Sequence, residues 1–108
     1  MRYQVRVTQE AEDHISSIVR YISEDSPQNA WRWRIRLRER LRSLKDFPER
    51  NEIAFRASDV GHDVRHTFFG VYRILYAVDV NTVVILGIRH GARRPPTADD
   101  IRDILPPQ

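Results

Sequence analysis

The stretch that decides the fold is VRHTFFGVYRILYAVDVNTVVILGIRH, residues 64–90. Its apolar residues recur with a period of two, the spacing of side chains along one face of a strand. Tyr72, Ile74, Tyr76 and Val78 share one face, while Arg73, Leu75 and Ala77 share the other. Gly70 and Asn81 mark tight turns between VRHTFF (64–69), VYRILYAVD (71–79) and TVVILGIRH (82–90). Strands joined by such short links pair as an antiparallel meander.

Upstream the period changes. YQVRV (3–7) alternates like a strand, with Tyr3, Val5 and Val7 on one side. Thr8 is then a natural N-cap, with Glu10, Glu12 and Asp13 in the first turns, where a helix favours acids. Ala11, Ile15, Ile18 and Ile22 form the apolar stripe of that helix. Ser26 caps a second helix with Pro27 at its first position, running to about Asp46. So short a link predicts an antiparallel helical hairpin. Ala30, Trp33, Leu37, Leu41 and Leu44 fall within one arc of the second helix, its core face. Residues 49–63 read as a polar connection. Thr97, with Asp100 three residues on, starts a short closing helix carrying Ile101, Ile104 and Leu105. The expected fold is α+β, one domain over residues 1–108. It comprises an N-terminal strand, a helical hairpin, then a meander completing a twisted sheet of about four strands, and a short C-terminal helix.

Composition narrows the function. The chain has 108 residues, 41% of them apolar, enough for one core. It has no cysteine, which excludes disulfides and zinc–thiolate sites. The longest apolar run, around Val83 to Ile88, is far short of the ~18 residues of a membrane span. MRYQVRVTQEAED lacks the apolar centre of a signal peptide, so a cytoplasmic domain is expected. Net charge is only +3, yet seventeen of the eighteen basic residues are arginines, Lys45 being the exception. Arginine's planar fork suits phosphates and carboxylates. Coding bias is one explanation; a nucleic-acid or acidic protein partner is the other.

The last strand runs into ILGIRHGARRPP (85–96), which gathers Arg89, His90, Arg93 and Arg94 at a sheet rim. Arg73 projects from the sheet face away from the helices, and the parity of Arg65 places it on that same side. A histidine among arginines could deprotonate a ribose 2′-hydroxyl while the cations stabilise the phosphate, without metal or cofactor. Alternatively, His90 caps the strand and the arginines pair with Asp99, Asp100 or Asp103. His14, His62 and His66 read as structural, and no pair has metal-ligand spacing. Trp31 and Ile35 lie off the core arc beside Arg38 and Arg42, a candidate partner surface.

The order YQVRVTQEAEDHI, SPQNAWRW, LRSLKDFPE, DVRHTFFGVYRILYAV and VVILGIRHGARRP resembles the RelE/ParE superfamily of bacterial toxins over residues 3–95. The resemblance implies the toxin of a type II toxin–antitoxin module, neutralised by a cognate antitoxin that alone contacts operator DNA. In a RelE-like reading, Arg73, Arg65 and His90 would be catalytic in cutting ribosome-bound messenger RNA. The chain lacks the lysine pair of that branch and a tyrosine after the final basic segment. Its long hairpin is closer to ParE-like chains, which inhibit DNA gyrase. In that reading Arg89, Arg93, Arg94, Trp31, Ile35, Arg38 and Arg42 contact the target or the antitoxin. The third reading is a non-toxic arginine-rich binding module.

Overall fold

A computed structural model describes residues 3–106 of the chain. The elements in order are β1 (Gln4–Val7), α1 (Gln9–Asp25), α2 (Pro27–Ser43), a 3₁₀ turn (Pro48–Arg50), β2 (Ile53–Phe55), α3 (Ala57–Val60), β3 (Val64–Phe69), β4 (Tyr72–Asp79), β5 (Thr82–His90) and α4 (Ala98–Ile104). The strands form one mixed sheet in the order β1-β5-β4-β3-β2. The meander β3-β4-β5 is antiparallel, and β1 joins the far side of β5 in parallel.

The caps form where the sequence puts them. The Thr8 side chain accepts from the Ala11 N–H, and that of Ser26 from the Asn29 N–H. Each satisfies a backbone donor that the first turn of a helix leaves without a partner. Ser26 also ends α1, so one residue links the two helices. Arg38 of α2 clamps Glu12 of α1 through both carboxylate oxygens, at 2.8 and 2.7 Å. That clamp holds the acid ionised and pulls its pKa down.

The helical hairpin covers one sheet face. Ile15, Leu37 and Leu41 pack there with Tyr72, Ile74, Tyr76, Val83, Ile85 and Ile88. The expectation of about four strands is corrected to five. Residues 49–63, read as a polar connection, hold β2 and α3, which are too short to show a period. The second sheet face is also less open than the sequence suggested. Val60 of α3 and Ile101 of α4 cover Leu75, Ala77, Val84 and Leu86 there. β5 is thus buried on both faces and paired on both edges along its first half. This explains its unbroken apolar run.

One irregularity controls everything downstream. Leu75 faces Gly87 across the β4–β5 ladder, but Tyr76 faces Ile85, so Leu86 is an extra residue in β5. Such a bulge shifts the side-chain parity of the strand beyond it. Ile88 consequently returns to the helix side with Val83 and Ile85, and Arg89 and His90 exchange the faces that simple alternation from Ile85 would give them.

Candidate functional site

Directly opposed residues on neighbouring strands share a face of the sheet. Tyr72 is opposite His90, and Arg73 is opposite Arg89. Arg65 is opposite Tyr76, on the helix side. The trio Arg65, Arg73 and His90, expected to converge on one rim, is therefore split. Arg73 lies on the face away from the helical hairpin, and the other two lie on the hairpin face.

Each has its own surroundings. Arg65 donates to the carbonyls of Glu49 and Asn51 at 2.8 and 2.6 Å, pinning the 3₁₀ turn. The buried Tyr76 hydroxyl donates to the Pro48 carbonyl at 2.5 Å and accepts from the Asn51 amide. His90 sets its ring edge-on to Tyr72, 5.2 Å between centroids, and Tyr72 contacts Trp33 in the same way. The His90 Nδ1 accepts from the Ala92 N–H at 2.9 Å, which leaves Nε2 as the protonated nitrogen of the neutral ring.

On the opposite face Arg73 belongs to a chain that the sequence reading missed. Its Nη1 is 2.7 Å from Nδ1 of His66, and the Nε2 of His66 is 2.5 Å from Glu52. With Nδ1 accepting from Arg73 and Nε2 donating to Glu52, both ring nitrogens are engaged. Arg73 also lies over the half-exposed Phe68 ring, 5.2 Å from its centroid. The signal for Phe68 and His66 was the cross-strand pairing of β3 with β4, which depends on the length of the Gly70 turn.

At the rim, Arg89 donates twice to the Arg94 carbonyl, at 3.2 and 2.9 Å. Burial and then the neighbouring Arg93 lower the pKa of Arg89. Arg94 pairs with Asp100 at 2.9 Å, as the capping reading allowed. The Thr97 N–H and then the Arg94 guanidinium hold the Asp100 carboxyl down to about 2. Arg93 has no carboxylate partner among the described residues. On α2, Trp31 is 66% exposed and Ile35 39% exposed. They border a shallow depression with Arg34, Arg38 and Arg42. Arg38 is already committed to Glu12, which makes it a hairpin clamp as well as part of that surface.

His14 is structural, as read, in an unexpected way: its Nδ1 accepts from the Ile88 N–H at 3.1 Å. Burial lowers its pKa, outweighing the opposing pull of Glu10. The fold thus favours the neutral ring. Its contribution to stability is full above the ordinary histidine pKa near 6.5 and is lost as pH falls from there through the lowered value of the folded state. Urea unfolding should show a lower midpoint at pH 5 than at pH 7.5. His14→Gln, which keeps an acceptor but cannot titrate, should flatten that difference; an equal slope in the variant would assign it to other groups.

The family described as the ParE toxin of the type II toxin–antitoxin system, parDE, matches residues 5–95. The chain belongs to the ParE toxin family. A chain of the chromosomal ParDE toxin–antitoxin system from P. aeruginosa has a similar fold, with a TM-score of 0.66 and 20% identity. The alignment covers 82% of this chain and 96% of that one. No curated protein matches the sequence. The matched region ends before α4, so this ParE toxin carries its closing helix beyond the family segment. No helix among the described residues is long and apolar enough to cross a membrane.

Proposed function

We propose that this ParE-family toxin arrests growth by binding and inhibiting DNA gyrase, and that an acidic antitoxin neutralises it. The observation that carries the choice is the division of Arg65, Arg73 and His90 between two sheet faces. Cleavage of RNA by 2′-hydroxyl attack needs a base and a phosphate-binding cation within reach of one another. Here the histidine nearest Arg73 is His66, and both its ring nitrogens are engaged. That favours a binding protein over a nuclease. Arg73, held by His66 and Phe68, and Arg89 opposite it then form a rigid cationic surface for a protein target.

The antitoxin reading rests on charge and exposure. An acidic amphipathic segment that folds on binding would cover Trp31 and Ile35 and meet Arg34 and Arg42. A photocrosslinker at Ile35 that captured no antitoxin would retire that surface.

The decisive assay pairs gyrase supercoiling with cleavage of ribosome-bound messenger RNA. Purified toxin should block supercoiling, leave the transcript intact and act equally well as His90→Ala. Cuts at A-site codons that slow about 10²–10⁴-fold in Arg73→Ala and His90→Ala would establish the nuclease reading instead.

A further inference from the structure

Arg73 stands in a row that crosses three strands, with Phe68 of β3 opposite it on one side and Arg89 of β5 on the other. Like charges directly opposite one another destabilise a sheet. Neither guanidinium is bonded to a carboxylate among the described residues. Each is held instead by a neutral acceptor. Nη1 of Arg73 meets Nδ1 of His66 at 2.7 Å, and Arg89 donates to the Arg94 carbonyl at 3.2 and 2.9 Å. Asp100 bonds Arg94 and the Thr97 N–H. Burial first, then the surrounding guanidinium groups, Arg73 among them, lower the pKa of Arg89.

The choice of acceptor has a consequence. A carboxylate would orient Arg73 and cancel its charge, whereas an uncharged imidazole orients it and leaves the charge in place. Only one of the two neutral tautomers of His66 has a lone pair on Nδ1 to offer. Glu52 selects it by accepting from Nε2–H at 2.5 Å. The backbone fixes that approach, because the His66 N–H donates to the Glu52 carbonyl at 3.3 Å. Two oriented cations on one face suit a single carboxylate that bridges them. A nucleic acid suits them less: Glu52, with 78% of its side chain exposed, brings a negative charge beside the pair that a run of phosphates would meet.

We infer that Glu52 and His66 are positioning residues that hold Arg73 beside Arg89 with its charge uncancelled, so that the two guanidinium groups together receive one carboxylate side chain of gyrase. This rests on the reading that gyrase is the target, and it adds the chemistry of the contact.

Two variants of equal net charge separate holding the arginine from leaving its charge free. His66→Asn keeps a neutral acceptor in the place of Nδ1. Glu52→Gln combined with His66→Asp moves the one negative charge of the pair onto the Arg73 contact. His66→Asn should keep most of the affinity of purified toxin for gyrase, whereas the double variant should raise Kd about tenfold or more. A purely structural role predicts the reverse, since a carboxylate holds a guanidinium more strongly. Arg89→Gln should weaken binding to a similar extent, which keeps the test open if the double variant does not fold. Nitrogen NMR spectra of the free toxin should show His66 protonated at Nε2 in the wild type and both tautomers in Glu52→Ala. Equal affinity in His66→Asn and the double variant, unchanged affinity in Arg89→Gln, or a tautomer indifferent to Glu52→Ala overturns the inference and leaves gyrase as the target. Wild-type toxin that does not bind gyrase removes that reading, and the inference with it.

Discussion

Leu37→Ala is expected to lower the unfolding free energy by about 2–5 kcal/mol. Leu37 is fully buried on α2, in the cluster that contains Ile15, Ile74 and Tyr76. The hairpin clamps α2 on one side and the sheet supports it on the other, so the surroundings cannot collapse into the vacated space. Such sites lose both the transfer energy of the side chain and the contacts of the residues lining the cavity. The matched comparison is Trp31→Ala on the same helix. Trp31 is 66% exposed, and its loss should change stability by no more than about 0.5 kcal/mol. Urea denaturation of both variants reads the difference directly. A comparable loss in the two would mean that Trp31 serves the fold and is not available to a partner.

That pair of residues also shows what could be read without a structure. The wheel separated Leu37 from Trp31 because a helix buries one arc whatever packs on it. The caps at Thr8, Ser26 and Thr97 were equally legible, since capping is a contact between residues three apart. The meander was legible because a period of two over three strands has no helical interpretation. What failed was non-local. β1 lies beside β5 only because the helical hairpin carries the chain back, and nothing in YQVRV records that partner. β2 has three residues, too few to alternate. The site suffered most, because its assignment depended on parity across several strands. Leu86 bulges from β5, so Arg89 rather than His90 accompanies Arg73. Arg65 was placed on the wrong side, and His66, set aside as structural, turned out to hold Arg73. A bulge leaves almost no trace in sequence: Gly87 is the one residue hinting at it, and its immediate reason is the His14 ring against it.

Ile101→Ala should detach α4 without unfolding the sheet. Ile101 is fully buried, and with Val60 it covers Leu75, Ala77, Val84 and Leu86. Truncating such a residue costs about 2–5 kcal/mol when the whole fold must bear it. A seven-residue helix, however, has little stability of its own, and its remaining ties are peripheral. Arg102 donates to the Asp59 carbonyl at 2.8 Å, and Asp100 receives Arg94 at 2.9 Å. Local undocking then becomes cheaper than global unfolding and limits the loss seen in a denaturation curve. Hydrogen exchange separates the two cases, because amides of α4 should lose protection while those of β4 and β5 keep theirs. If β4 and β5 exchange together with α4, the helix is an integral part of the core. If α4 goes alone, Arg94 loses its carboxylate and the sheet face at Leu75 and Leu86 opens while the variant stays folded, which would separate the closing helix from the core of the family fold it covers.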